Sequence, residues 1–293
     1  MKELEELGII VKENEPMSKH TTLAIGGPAE WYLEIFSLEQ LKIFLSITHS
    51  KKKALFFLGA GSNILVSDQG LDGFIVRLLG EFEMVSFSGS CARAGAGVFL
   101  PTLIKKCAEQ GLGGAEALVG VPGTVGGALM MNAGTRDLEI GTLVKSVEIV
   151  SLQGIENKID SKQINFQYRS SSLAGSIICF ATLQLQEKNK DDIIRIVQEF
   201  LSYRLKTQPI GTLNVGSIFK NPKGHFAAQL IENAGLKGFK IGQAQVSPKH
   251  ANFIVNLGGA KAKEMKDLIF EIQQVVEKKF GIHLEPEIKF VGQ

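Results

Sequence analysis

The sequence predicts an α/β or α+β protein, because strand-like apolar runs and amphipathic helical stripes follow one another along most of its 293 residues. A second observation is the stretch 117–135, which carries no charge and holds five glycines and Pro122. Its apolar length approaches that of a membrane span, but glycine and proline spoil the uninterrupted helix that lipid demands. What it offers instead is bare backbone. A third observation is Gly59-Ala60-Gly61-Ser62-Asn63, a similar glycine loop that follows the strand-like run Ala54-Leu55-Phe56-Phe57-Leu58.

The elements are expected in the following order. Ser37 and Gln40 have capping-box spacing, and Leu38, Leu41 and Leu45 continue a helical stripe to about Thr48. Strands are expected at 54–58, 64–67 and 74–78, between glycine-rich turns. Leu100, Leu103, Ile104, Cys107 and Ala108 have helical spacing, with Gly111 where a C-terminal cap belongs. Gly123-Thr124 should open a further apolar helix, while 144–150 and 177–185 read as strands. A helix from Asp191 to Lys206 is marked by Ile193, Val197, Phe200 and Arg204 and stopped by Pro209. Beyond it come a helix near 226–233 and strands near 241–246 and 253–256. A long helix over 262–280 buries Met265, Leu268, Ile269, Ile272, Val275 and Val276, Gly281 ends it, and Ile288–Val291 form a last strand.

Composition narrows the function. Apolar residues make up 44% and charged residues 21%, enough for real cores. A net charge of +2 gives no case for nucleic acid, and the triplet Lys51-Lys52-Lys53 is expected to solvate a helix end. Cys91, Cys107 and Cys179 are odd in number and lack metal or disulfide spacing, so they read as small buried hydrophobes in a reducing compartment. The acidic start Met1-Lys2-Glu3-Leu4-Glu5-Glu6 has no signal-peptide core, which points to the cytoplasm.

The glycine segments suggest phosphate binding, since glycine lets main-chain N–H groups approach an anion that no side chain blocks. Two such sites suit a diphosphate, as in a dinucleotide. Two familiar plans fail: no Gly-Lys-Ser/Thr exists for a Walker loop, and neither Gly59-Ala60-Gly61 nor Gly95-Ala96-Gly97 has the third glycine of a Rossmann fingerprint.

The segments 58–66 (Leu-Gly-Ala-Gly-Ser-Asn-Ile-Leu-Val) and 120–128 (Gly-Val-Pro-Gly-Thr-Val-Gly-Gly-Ala) resemble the two FAD-binding segments of the UDP-N-acetylenolpyruvoylglucosamine reductases. The resemblance continues, in family order, through His20–Pro28, Met131–Gly134, Tyr168–Ser171, Gly216–Pro222, His250–Asn256 and Leu284–Glu287, and spans nearly the whole chain. The length is similar to that of the shorter, type II subclass, which lacks an inserted lid. The resemblance implies an α+β chain with a bipartite FAD-binding fold of the vanillyl-alcohol-oxidase type, not Rossmann, and a C-terminal α/β substrate domain. The expected divisions are 1–53 and 54–206 for the two FAD-binding subdomains and 207–293 for the substrate-binding domain. Leu173, where the family often has an aromatic residue, and Thr135-Arg136-Asp137-Leu138, in place of a smaller turn, depart from the pattern near the flavin pocket.

The implied activity is reduction of an enolpyruvyl ether of UDP-N-acetylglucosamine to UDP-N-acetylmuramate for peptidoglycan. FAD, held noncovalently, would receive hydride from NADPH and pass it to the sugar nucleotide. That chemistry asks for a cation, a placed proton donor and a group that steadies the enolic form. The resemblance implies Arg169 for the substrate carboxylate, Ser217 for the proton, and Glu287 beside Arg169 for the enolic form. Glu285 competes with Glu287 on spacing alone, because residues two apart on a strand share a face. For the cofactor it implies Gly59, Ala60, Gly61, Ser62, Asn63, Pro122, Gly123, Thr124, Gly126, Gly127, Asn132, Ala133 and Arg204. Tyr168, Lys220, Asn221, Gln229, His250 and Asn252 would line the substrate cleft, although His250 reads equally as a structural histidine. No metal, nucleic acid or membrane partner is expected, and the chain is expected to act as a monomer. Two other readings remain: an FAD-dependent oxidase of another small substrate, and a nucleotide-binding module without catalysis.

Overall fold

The computed structural model describes residues 1–48 and 53–292. Lys51 and Lys52, and with them the helix-end role expected for the lysine triplet, lie outside the described residues. The chain forms two compact units, Met1–Glu13 with Trp31–Ala60 and Gly73–Ser202, and Asn14–Glu30 with Gly61–Asp72 and Tyr203–Gln293.

The first unit is built on a five-stranded antiparallel sheet in the order Glu156–Asp160, Val144–Val150, Ile177–Gln184, Cys91–Gly95, Val85–Ser88. Its central strand is apolar on both faces: Ile177, Ile178, Cys179, Phe180 and Ala181 are all buried, as a strand covered on two sides requires. Across one face of the central strand, Arg93 donates to both carboxylate oxygens of Glu148 and lies 3.7 Å from the Phe180 ring centre. Helix Leu100–Glu109 turns Leu100, Leu103, Ile104, Cys107 and Ala108 into the core. Gly111 follows it with φ +70°, the left-handed conformation glycine adopts without steric cost. A further sheet has the order Ile10–Pro16, Pro28–Ile35, Leu71–Leu78, Leu55–Phe57, of which 10–13, 31–35, 73–78 and 55–57 belong to this unit. Its last pair is parallel. Helix Leu38–Thr48 begins with the Ser37 hydroxyl accepting the Gln40 amide, while the Gln40 side chain accepts from Phe36, one residue earlier than a standard capping box.

The second unit has an antiparallel sheet in the order Leu213–Asn214, Ile254–Asn256, Ala244–Val246, Lys240–Ile241. Helix Ala262–Phe280 buries Met265, Leu268, Ile269, Ile272 and Val276 against Leu230, Ile231, Val246 and Ile254 in its core. Gly281, φ +68°, ends it as expected. Strands Ile64–Val66 and Lys289–Val291 pair in parallel, which brings the chain's last segment beside the first glycine loop. The single strand expected over 241–246 is a hairpin, Lys240–Ile241 and Ala244–Val246, because Gly242 turns at φ +57°.

Candidate active site

In the first unit the two glycine segments meet. A Cβ added at Gly59 would stand 2.7 Å from the Thr124 hydroxyl, and one at Gly126 would stand 2.9 Å from the Ala96 Cβ. The first contact joins the two segments and the second packs the 120–128 segment on Gly95-Ala96-Gly97, so closely that a side chain at either glycine would fill the space. The N–H groups of Gly59, Ala60, Gly123 and Thr124 have no partner within the protein among the described residues. They are the donors an anion would need. The expected helix at Gly123-Thr124 is only six residues, Val125–Met130, and its first amides are already used: Val125 donates to Val98, Gly126 to Ala96, and Gly127 to the Thr124 hydroxyl at 3.4 Å. The unpaired donors here are therefore loop amides, and Gly126 contributes closeness of packing instead of a donor. Phe57, Leu58, Val76, Leu78, Met130 and Ile178 extend the cradle into an apolar groove with Gly59, Thr124 and Gly127 on its wall. Backbone donors beside an apolar groove fit the diphosphate and ring of a dinucleotide.

Asn132, φ +42° and 1% exposed, is fully occupied. Its side-chain amide donates to Glu139 at 2.8 Å and to the Gln167 carbonyl at 3.1 Å, and its oxygen accepts from Gly141 at 3.0 Å. It acts as an internal brace, and Ala133 likewise turns its amide back to Ala128. The brace holds Glu139, whose carboxylate stands 3.9 Å from the Arg169 guanidinium. Arg169 also donates to the Gly134 carbonyl at 3.2 Å and lies 4.7 Å from the Tyr168 ring centre. Its φ of +58° is a costly conformation for arginine, held by this surrounding structure. Tyr168 is 46% exposed. Leu173 is buried in the core, and residues 135–138 close a turn through Thr135 and Leu138.

In the second unit Ser217 and Glu287 come together on paired backbone. The Glu287 amide donates to the Ile218 carbonyl at 2.7 Å, and Phe219 pairs with Pro286. Gly216, φ +77°, turns the chain immediately before Ser217, and its amide donates to the Asn214 side chain at 2.9 Å. Asn252 is buried and grips Phe219 through both its side-chain oxygen and its amide, at 3.0 and 2.8 Å. It shapes the Ser217 segment and is not open to a ligand. Glu285, the rival of Glu287, gives its carboxylate to Lys220 at 2.6 Å. Asn221 caps helix Ala227–Asn233 by accepting from Ala227, while Gln229 is exposed on that helix. Asn63 donates from its side chain to the Glu287 carbonyl at 3.2 Å, and Gly61 turns beside it with φ +65°. Ser62 lies between them, half-buried.

The His250 ring accepts from the Asn252 amide at 3.3 Å and packs edge-on against Phe253. Burial pushes its pKa below the ordinary value, so it is held neutral. Burial also lowers the pKa of Arg204, whose Nε has no hydrogen-bond partner among the described residues. A buried Nε–H without an acceptor is costly, and an anionic ligand would relieve it. Spacing in the sequence gave no sign of Glu139 or of the Lys220–Glu285 pair, because both depend on long-range folding. No helix among the described residues is long and apolar enough to cross a membrane.

Two family descriptions match the chain: an FAD-binding domain over residues 30–157 and the C-terminal domain of UDP-N-acetylenolpyruvoylglucosamine reductase over 208–291. A reductase of that name from Moorella thermoacetica is 41% identical over 98% of this chain and 95% of its own length. One from Symbiobacterium thermophilum is 39% identical over 96% and 92%. The crystal structure of the Thermus caldophilus reductase superposes with a TM-score of 0.86 at 36% identity, covering 97% of this chain and all of that one. By sequence, fold and an FAD-binding architecture distinct from Rossmann, the chain belongs to the UDP-N-acetylenolpyruvoylglucosamine reductase family.

Proposed function

We propose that the protein is an NADPH-dependent flavoenzyme that reduces the enolpyruvyl ether of UDP-N-acetylglucosamine to UDP-N-acetylmuramate, a step of peptidoglycan precursor synthesis. The observation that carries this reading is the joining of Ser217 and Glu287 through the Glu287–Ile218 hydrogen bond, in a chain of this family. FAD, when bound, supplies the hydride relay between NADPH and the terminal vinyl carbon of the substrate. The loop amides at Gly59, Ala60, Gly123 and Thr124 would hold its diphosphate, with Gly61, Ser62 and Asn63 continuing the first loop and Pro122, Gly126 and Gly127 shaping the second. Residues 1–53 and 54–206 form the cofactor part and 207–293 the substrate part of this reading. The protein works in the cytoplasm as a monomer.

The remaining roles belong to side chains. The planar guanidinium of Arg169 can grip a carboxylate through two parallel donors. Negative charge spreading into the substrate carboxylate after hydride addition strengthens that contact, so it favours the transition state more than the ground state. Ser217 gives its hydroxyl proton to the carbon next to the carboxylate. A serine hydroxyl is a weak acid, but an enolate-like carbon is a strong base, and placement matters more than acidity. Glu287 steadies the enolic form with Arg169. Lys220, Gln229 and Tyr168 line the sugar-nucleotide cleft, with Asn221, Asn252 and His250 supporting it, and Arg204 meets a phosphate.

The test follows NADPH loss on mixing purified protein with NADPH and the enolpyruvyl sugar nucleotide. Ser217→Ala should leave flavin reduction by NADPH nearly unchanged and cripple flavin reoxidation by the sugar. Equal loss of both steps would remove serine from the proton role. Rapid reoxidation by oxygen, with no response to the sugar nucleotide, would instead make the protein an oxidase.

A further inference from the structure

The segment His20–Ile25 lies across the second half of the first glycine loop. A Cβ at Gly61 would stand 2.1 Å from the His20 carbonyl and 2.9 Å from the Thr21 Cα, so the two backbones are in direct contact. The segment is closed on itself and held from outside at its middle. The Thr21 hydroxyl donates to the Ile25 carbonyl at 2.8 Å, and the buried Asn256 side chain donates to the Leu23 carbonyl at 2.8 Å. Thr22 sits between these anchors and faces two ways. Its amide donates to the Gly61 carbonyl at 3.1 Å. Its hydroxyl has one proton and two acceptors within reach, Asn214 O at 2.6 Å and Gly61 O at 3.4 Å, and the shorter contact takes it.

From Asn214 the chain of contacts leads straight to the proposed proton donor. The Asn214 side chain accepts the Gly216 amide at 2.9 Å, fixing the φ +77° turn that delivers Ser217. We propose that Thr22 is a positioning residue for proton delivery, splicing the diphosphate loop at Gly61 to the segment that carries Ser217. The inference rests on the reading of Ser217 as proton donor. Its logic is geometric: proton transfer to carbon tolerates little misplacement, and a shift of about 1 Å costs roughly 100-fold in rate. One residue that holds both the cofactor loop and the donor segment sets the distance between them. Asn63, which grips the Glu287 carbonyl from the same loop, does the parallel task for the third catalytic group.

The experiment uses the FAD-loaded enzyme with Thr22→Val, which keeps the amide and the shape but loses the hydroxyl. Thr22→Ala runs beside it so that a variant without β-branching strain is in hand. The expected result is flavin reduction by NADPH within about twofold of wild type, and reoxidation by the enolpyruvyl sugar nucleotide about 10- to 100-fold slower. KM for the sugar and Kd for FAD, the latter measured by titrating flavin-free protein, should stay within about threefold, because the Thr22 amide still holds Gly61. Thr22→Ser should restore most of the lost rate. In a Ser217→Ala background, Thr22→Val should cost nothing more, since it acts only through that hydroxyl. A full additional loss in that background, equal loss in both half-reactions, or failure of serine to rescue would overturn the role of Thr22. Undiminished reoxidation in Ser217→Ala alone would overturn the premise, whereas a crippled Ser217→Ala beside an unaffected Thr22→Val would overturn only the inference.

Discussion

Gly59→Ala adds one methyl group where the two glycine segments meet, and its cost follows from who already occupies the space. The new Cβ would lie 2.7 Å from the Thr124 Oγ1, inside the 3.0 Å limit that real Cβ atoms keep. Thr124 is 4% exposed, so its hydroxyl cannot swing aside freely. Either the loops separate, at about 1–3 kcal/mol for overpacking, or the hydroxyl rotates and abandons the Gly127 amide, at about 0.5–2 kcal/mol for a lost N-cap. Both routes give a destabilisation of about 2 kcal/mol. Thr124→Ala removes the obstacle, because the next nearest atom to the new methyl is the Thr124 Cβ at 3.8 Å, an ordinary contact. Thr124→Ala alone should cost about 1 kcal/mol as a lost cap. The double variant should therefore cost about 1 kcal/mol, not the sum of about 3 kcal/mol. Urea unfolding of the flavin-free single and double variants measures the cycle. Additive costs, within about 0.5 kcal/mol, would show that Gly59 and Thr124 do not share this space.

Asn132→Ala deletes three partly buried hydrogen bonds and leaves alanine at φ +42°, so a loss of about 3 kcal/mol is expected in the same unfolding measurement, with weaker sugar-nucleotide binding as Glu139 and Arg169 shift. Glu148→Gln should cost about 0.5–1 kcal/mol at neutral pH, a modest figure because the pair with Arg93 is partly exposed. Arg93 holds the Glu148 carboxyl below its usual pKa, so this stabilisation is present above about pH 4.3 and fades as pH falls through the depressed value; a pH-independent difference from wild type would refute the pairing. His250 has a lowered pKa through burial, so the unfolded chain takes up a proton first as pH drops below about 6.5, and stability falls with it. His250→Gln should flatten that part of the stability curve, and an unchanged slope would place the titration elsewhere.

Much of the fold was legible because its elements advertise themselves over short distances. Helices Leu100–Glu109 and Ala262–Phe280 show full apolar stripes with glycine stops, and the central strand Ile177–Gln184 opens with five apolar residues in a row. Strand Ile10–Pro16 was not legible: Lys12, Glu13, Asn14 and Glu15 leave it largely solvated, with no alternation to read. Expectations for the hairpin of Lys240–Ile241 and Ala244–Val246 failed for a different reason, since one glycine decides between a strand and a turn. The site divides in the same way. Glycine loops and catalytic candidates stand out as local motifs, whereas the internal roles of Asn132, Asn252 and Thr22 arise from partners that lie 7 to 192 residues away. In the same way the amide of Gly126, though in the right motif, is already spent on the Ala96 carbonyl 30 residues away.

Single-turnover reoxidation tests the central claim most directly. Protein carrying FAD is reduced anaerobically with one equivalent of NADPH and then mixed with the enolpyruvyl ether of UDP-N-acetylglucosamine. The account predicts that oxidised-flavin absorbance returns by one equivalent per chain, with the lactyl ether as product, and that UDP-N-acetylglucosamine without the enolpyruvyl group gives no return. A chain that binds no FAD, or a reduced flavin that ignores the enolpyruvyl sugar and recovers only when oxygen is admitted, would contradict it.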